Sequence, residues 1–541
     1  MNAMFRIPPV QNEPVFDYAP GTPARRALKE ALENLMGAEL DVPMIIGGQE
    51  IHTDEKIRLA PPHLHAHTLG HASKGDASHV KQAIQAALDA KEKWELMPWQ
   101  ERAAIFLKAA DLISGPYRPQ MNACTMLAQS KTAFQSEIDA VAELADFLRF
   151  NVQYMTEIYA EQPNSPDGVW NRSEYRALEG FVLAITPFNF TAISGNLPSA
   201  PALMGNTVVW KPADSQIYSA HFVMEVFREA GLPDGVINLV FTDGPTLGSE
   251  VFTHRDFAGL HFTGSTKVFK HLWKTIGENI DTYRSYPRIV GETGGKDYIL
   301  AHPTADVGRV ATAMVRGAFE FQGQKCSAAS RTYLPESLYE GVMELVKDDL
   351  STIEPGPPTD FRNFFTAVID KNAFDKIVGY IEHAKEDPDS EIVAGGGYSD
   401  ELGYFIEPTV IQAKKPHTRT MEEEIFGPVL TVYVYPDSEW EQAIELANGN
   451  DYALTGAIFC NDRYALNDAV TKLRHSAGNF YINDKPTGAV VNQQPFGGGR
   501  GSGTNDKAGS KLNLLRWVSA RTLKETFNAS TDYRYPFMDA E

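Results

Sequence analysis

At 541 residues, 43% of them hydrophobic, 11% aromatic and 22% charged, the chain is too long for one ordinary domain and too apolar for a disordered or coiled-coil protein. Its net charge of −21, from 49 Lys and Arg against 70 Asp and Glu, repels nucleic-acid phosphate and anionic membrane over most of the surface. Three cysteines, Cys124, Cys326 and Cys460, share no paired spacing, which excludes a disulfide framework or a zinc site and leaves single thiols in a reducing compartment.

Residues 1–26 carry Glu13 and Asp17 and no continuous apolar run, so neither a secretory signal nor an intact Arg-rich transit peptide is expected there. The expected location is the cytoplasm, or the mitochondrial matrix if a longer precursor is trimmed. No stretch approaches the roughly 20 apolar residues of a membrane span. Residues 81–112 and 131–160 have the helical spacing of Ala, Leu and charged side chains, divided by a turn at Gly115-Pro116. A polar stretch, 161–180, leads into the apolar run 181–185. From there 181–185, 207–210, 237–240, 260–263 and 288–290 read as strands separated by helices such as 219–230, the alternation of a parallel α/β sheet. A second α/β set begins with a strand at 298–300 and a helix whose Val307, Val310, Ala311, Met314 and Ala318 form one buried stripe. It closes with a strand at 480–482 and a Gly-rich loop at 495–503. The run 512–523 reads as a short helix or strand before a polar tail, an exposed terminal element able to pair with another subunit.

Open parallel sheets bind ligands at the carboxyl ends of their strands. Asn189, in Thr186-Pro187-Phe188-Asn189-Phe190, offers an amide donor to a developing oxyanion, or is an ordinary turn residue. Lys211 and Asp214 follow a strand and could hold ribose hydroxyls or phosphate. Phe262-Thr263-Gly264-Ser265 opens a helix whose first amides could cradle a pyrophosphate, although no GxGxxG fingerprint is present. Glu292 ends a strand against Gly294-Gly295. Partial desolvation there would raise its pKa into the range of a useful base, whereas pairing with Lys296 would make it a plain turn carboxylate. Cys326 lies on a loop among small polar residues, while Cys124 and Cys460 read as inert buried thiols.

In this order, Pro187-Phe188-Asn189-Phe190, Lys211-Pro212, Phe262-Thr263-Gly264-Ser265, Glu292-Thr293-Gly294-Gly295-Lys296, Gln324-Lys325-Cys326-Ser327, Glu424-Ile425-Phe426-Gly427-Pro428 and Pro495-Phe496-Gly497-Gly498 resemble the aldehyde dehydrogenase superfamily over nearly the whole chain. Within it, Phe188-Asn189-Phe190-Thr191-Ala192-Ile193, Lys296-Asp297 and Gln493-Gln494-Pro495 running on to Gly503-Thr504-Asn505-Asp506-Lys507 resemble the branch that oxidises L-glutamate γ-semialdehyde, formed from 1-pyrroline-5-carboxylate, in proline catabolism.

The resemblance implies an α/β fold with a Rossmann-type NAD-binding domain (1–160 and 181–291), an α/β catalytic domain (292–487) and a small oligomerisation element (161–180 and 505–541) in a homodimer or higher homo-oligomer. It makes Cys326 the nucleophile, passing through a thiohemiacetal and a thioester. Asn189 and the Cys326 N–H become the oxyanion donors, and Glu292 the base that activates water. NAD would be held by Thr186, Lys211, Gly264, Ser265, Glu424 and Phe426, with Asp214 favouring NAD over NADP. For the substrate, Gly488, Ala489 and Ser327 would donate to the carboxylate, Glu143 would face the amino group, and Phe190 and Phe496 would sandwich the aliphatic chain. No metal, nucleic acid or membrane partner is implied. The competing readings are a dehydrogenase of another aldehyde, a CoA-acylating relative, against which Glu292 stands, and an inactive scaffold, against which Cys326, Glu292 and Asn189 stand. Two departures fall in the expected substrate loop: Asn492 where a glycine is usual, and Gly499-Arg500-Gly501 in place of the common wording.

Overall fold

The computed structural model describes residues 5–540. From residue 181 onward the alternation of strand and helix resolves into a seven-stranded sheet. Its spatial order is Arg288–Glu292, Phe257–Thr263, Phe181–Thr186, Thr207–Pro212, Ile237–Leu239, Met44–Ile46 and Gln49–Ile51. The first five are parallel, and the last two add an antiparallel hairpin at one edge. Every residue of Phe257–Thr263 is buried, as a strand covered on both faces requires. Phe181–Thr186 is the first parallel strand in the chain and Phe257–Thr263 the fourth, yet they are neighbours. Chain direction across the sheet reverses between them, which opens a crevice beyond their carboxyl ends.

A second seven-stranded sheet runs Ser390–Ala394, Thr409–Ala413, Val429–Tyr435, Ala329–Pro335, Asp297–Ala301, Thr455–Phe459 and Asn479–Ile482. It is parallel except at the edge pair Ser390–Ala394 and Thr409–Ala413. The helix Val307–Phe319 packs on it through Val310, Ala311, Met314 and Ala318, the stripe that its spacing predicts, so Met314 is core.

In the front section the helical stretch 81–112 is two helices, Ala77–Glu95 and Trp99–Ser114, parted at Pro98. The next helix, Arg118–Gln129, escapes a periodicity reading because nearly all of its residues are buried and no polar face marks it. Residues 131–160 contain a π-helical segment, Glu137–Glu143, between the helices Ala133–Ser136 and Leu144–Ala160. The run 512–523 divides into a short helix Lys511–Leu514, a turn Leu515–Trp517 and a strand Val518–Thr526. That strand pairs antiparallel with Val169–Ala177, from Val518↔Ala177 to Thr526↔Val169. This two-stranded ribbon is largely exposed. Its root is not, because Asn206 Nδ2 donates to the Trp517 carbonyl at 2.8 Å and the Trp517 ring lies 4.7 Å from that of His261.

Candidate active site

The crevice of the first sheet faces the amino ends of strands in the second. Residues 185–189, Lys211, Ala213 and 262–265 there meet 293–294, Cys326 and 424–426 around a cleft of about 420 Å³. Thr186, Asn189, Lys211, Gly264, Ser265, Cys326, Glu424 and Phe426, drawn from segments 240 residues apart at the extremes (426 − 186), all line it. Sequence reasoning missed Lys376, which also lines the cleft and donates to the Glu424 carbonyl at 3.2 Å. It belongs to no motif. Its only sequence signal is that Ala373, Lys376 and Ile377, at helical spacing, share one face of the helix Lys371–Glu386.

Cys326 reaches the cleft through a tight reversal. After the helix Val307–Phe319, the chain turns at Phe321 (φ 50°), Gln322 (φ 53°) and Gly323 (φ 65°), all left-handed. Two bulky residues hold that conformation only against restraint by their neighbours. Gln322 Nε2 donates to the Ala367 carbonyl at 2.8 Å, and Gln324 Oε1 accepts from the Ile369 N–H at 2.9 Å. Gly323 lies so close to the Gly427 carbonyl that a Cβ would overlap it. The reversal leaves Cys326 half-buried, with burial and the charges of Glu292, Asp297, Glu424 and Glu143 pushing its thiol well above the usual range.

Asn189 is buried at the end of Phe181–Thr186 and donates through Nδ2 to the Gln324 carbonyl at 3.1 Å. That bond spans the cleft to the cysteine loop and uses one of the two amide protons, leaving the second. Glu292 closes the strand Arg288–Glu292 and is half-buried. Burial pushes its carboxyl up to about 8, with Lys507 pulling the other way and Asp506 adding to the rise. The alternative pairing with Lys296 is not what forms. Lys296 is buried, donates to Ser330 Oγ at 2.6 Å, and its ammonium is driven down to about 7 by burial and by Arg331. Glu424 accepts from the Gly295 N–H at 3.0 Å, beside a Gly294 whose Cβ would overlap the carboxylate.

Glu292 and the six residues expected at the substrate lie outside this lining. Glu143 ends the π-helical segment, and burial together with Asp139 raises its carboxyl well above the usual range. Phe190 carries the Lys131 ammonium 4.0 Å above its ring. Ser327 is buried and shares a hydrogen bond of 2.8 Å with the Thr487 hydroxyl, next to Gly488 (φ 99°) and Ala489. Phe496 is half-buried and exchanges backbone hydrogen bonds with Ala508. Asp214 is also outside the lining, mostly exposed and ion-paired at 3.3 Å with Lys211, which does line it.

The aldehyde dehydrogenase family model matches residues 50–523. The chain belongs to the aldehyde dehydrogenase family. It is 50% identical to a mitochondrial delta-1-pyrroline-5-carboxylate dehydrogenase of Dictyostelium discoideum over 99% of this chain and 97% of that protein. A delta-1-pyrroline-5-carboxylate dehydrogenase of Agaricus bisporus is 52% identical over 99% and 98%. Among solved structures, the NAD-bound delta-pyrroline-5-carboxylate dehydrogenase of Mycobacterium tuberculosis superposes with a TM-score of 0.96 at 50% identity, covering 100% of both chains.

Both departures in the expected substrate loop of this aldehyde dehydrogenase have a backbone explanation. Asn492 has φ 70°, the left-handed region that asparagine tolerates best after glycine, and its Oδ1 accepts from the Tyr154 hydroxyl at 2.8 Å. Arg500 is also left-handed (φ 49°) and is held by donating to the Asn448 and Asn450 carbonyls at 2.6 and 2.7 Å. Among the described residues, no helix is long and apolar enough to cross a membrane.

Proposed function

We propose that this aldehyde dehydrogenase oxidises L-glutamate γ-semialdehyde to L-glutamate with NAD as the hydride acceptor, the second step of proline catabolism. The observation that carries the reading is the single cleft joining Cys326 and Asn189 to Thr186, Lys211, Gly264, Ser265, Glu424 and Phe426. Identity of 50% and 52% to proteins named for that activity supports it.

The cleft's donors suit a dinucleotide. The helix Thr266–Glu278 begins at Gly264-Ser265 and offers free N-terminal amides to a pyrophosphate. Lys211 and Glu424 offer a cation and a carboxylate for ribose hydroxyls, while Ile185, Phe262, Val268 and Phe426 form apolar wall for flat rings. Gly264 and Gly294 keep the backbone open, since a Cβ at the first would meet the Phe262 ring at 2.7 Å and one at the second would overlap Glu424.

In the chemistry, the Cys326 thiol releases its proton to solvent and the thiolate sulfur adds to the aldehyde carbon. The charge that develops on the carbonyl oxygen is met by the second Asn189 N–H and the Cys326 N–H, worth about 3 kcal/mol per donor. NAD, when bound, supplies the acceptor for the hydride leaving the thiohemiacetal carbon and a positive ring that offsets the carboxylates around the thiol. Glu292 then takes a proton from the water that attacks the thioester. The C–S bond breaks, the new carboxylate leaves and the cysteine is restored. At the far end of the substrate, Gly488, Ala489 and Ser327 donate to the α-carboxylate, Glu143 accepts from the ammonium, and Phe190 and Phe496 flank the chain.

In this reading 1–160 with 181–291 is the cofactor domain and 292–487 the catalytic one. Separate apolar clusters under the two sheets support the division. The exposed ribbon of 161–180 and 505–541 is the oligomerisation element of a homodimer or larger homo-oligomer, its free strand edges being the pairing surface. Of the two expected compartments, the name of the Dictyostelium relative supports the mitochondrial matrix, the cytoplasm resting on the sequence alone. The test is NADH formation with glutamate γ-semialdehyde against propanal. Preference for propanal would sink the substrate assignment, and activity surviving Cys326→Ala would sink the mechanism.

A further inference from the structure

The family model begins at residue 50, yet residues 12–18 make several polar contacts with buried groups of the first domain. Their partners bracket the π-helical segment that ends in Glu143. At its start, the fully buried Glu137 accepts from the Phe16 N–H at 3.0 Å, the Tyr18 hydroxyl at 2.7 Å, Asn122 Nδ2 at 2.8 Å and Arg118 Nε at 3.1 Å. Beyond its end, the buried Asp146 accepts from Asn12 Nδ2 and from the Glu13 N–H, both at 2.7 Å. Glu13 in turn binds Arg118 at 2.9 Å and Arg149 at 2.6 Å. A π-helical segment has poorer packing and hydrogen-bond geometry than the helix around it and persists where neighbours hold it.

Asn12 has a second set of contacts. Its Nδ2 also donates to the Val491 carbonyl at 2.9 Å, and its Oδ1 accepts from Gln493 Nε2 at 3.1 Å. Val491 follows Gly488 and Ala489 by two or three residues. One amide therefore joins the helix just past Glu143 to the loop carrying the two backbone donors.

We infer that residues 12–18 form a strap whose Asn12 sets the separation between Glu143 and the Gly488-Ala489 amides, and so selects aldehydes that end in an α-amino acid group. The inference rests on the substrate reading above. Asn12 touches neither substrate nor cofactor in this account and is a positioning residue. The reacting end of the pocket is built on other elements, so loss of the strap lowers affinity for the amino acid end and leaves bond-making intact.

The isosteric Asn12→Asp removes both donors and sets a second carboxylate against Asp146. Asn12→Ala removes the amide altogether. Either change raises KM for glutamate γ-semialdehyde roughly tenfold, the scale of one lost hydrogen bond to a charged group. The kcat with propanal and the NADH affinity by fluorescence titration stay within about twofold, a split that general destabilisation does not produce. Gln493→Ala, at an exposed side chain, moves the same KM in the same direction by a smaller factor and decides the matter if the Asn12 variants do not fold. A wild-type chain with no preference for the semialdehyde overturns the substrate reading and this inference with it. A wild-type preference that survives the Asn12 changes, or that survives Gln493→Ala where the Asn12 variants do not fold, overturns the strap alone, as does equal loss with propanal.

Discussion

Glu292 makes the sharpest prediction, because its role depends on a pKa that its surroundings place near 8 rather than at the ordinary 4.5. A carboxyl titrating there is ionised in about a tenth of molecules at pH 7, half at pH 8 and nine-tenths at pH 9. If the carboxylate is the base for thioester hydrolysis, that step accelerates about tenfold from pH 7 to pH 9 and levels off above it. Rapid mixing separates this step from acylation, since the first NADH appears in a burst and later turnovers wait for hydrolysis. Glu292→Gln keeps the burst while slowing the later turnovers by roughly 10²- to 10⁴-fold and flattening their pH dependence. Asp506→Asn removes a like charge, favours the carboxylate and moves the midpoint to lower pH. The same shift acts on stability. The folded state holds a proton that the unfolded chain releases near 4.5, so the wild type loses stability as pH rises from there through about 8. Glu292→Gln lacks that loss, so melts of the two proteins converge or cross toward alkaline pH. A wild-type hydrolysis rate that is flat between pH 7 and 9, or a Gln variant that keeps both rate and slope, would refute the assignment.

Three further changes test other parts of the site. Asn189→Ala removes one oxyanion donor and lowers kcat about 10²- to 10³-fold with little change in KM, so a drop under tenfold in steady-state kinetics counts against the role. Gly294→Ala places a Cβ where the Glu424 carboxylate lies, displaces it and weakens NADH binding in a fluorescence titration, and unchanged affinity would mean that Glu424 does not hold the cofactor. Asp139→Asn strands the Lys131 ammonium, which pairs with Asp139 at 2.7 Å with both side chains buried. It also weakens the acceptor of the Thr191 and Ala192 N–H groups, at 3.0 and 2.8 Å, at the start of the helix after Asn189. Urea unfolding should show a loss of about 3–5 kcal/mol, partly recovered when Lys131→Met is added, and an unaltered midpoint would contradict the pairing.

Legibility in the sequence followed the reach of the forces involved. The strands at 181, 207, 257 and 288 and the helix Val307–Phe319 were readable because runs and stripes of apolar side chains report local burial directly. The helix Arg118–Gln129 was not, because burial on every side erases the period. The π-helical segment was hidden too, since its extra residue is held by Glu137 and Asp146, whose partners in the strap lie 119 and more residues away in the chain. Lys376 carried no motif and entered the cleft through the fold alone.

What the sequence determined by itself was the inventory: a thiol, an amide, a carboxylate and a dinucleotide's worth of strand ends in a recognisable order. Only the tertiary structure decided their state. It moved Glu292 away from Lys296 and into a setting that raises its pKa, and it crowded Cys326 with carboxylates. It stood Asn492 in a left-handed turn against Tyr154, and it brought Asn12 to a carbonyl 479 residues further along the chain. Charge and desolvation act through space, so the groups that set a pKa or hold a loop are chosen by the fold and leave no trace in the local spacing of residues.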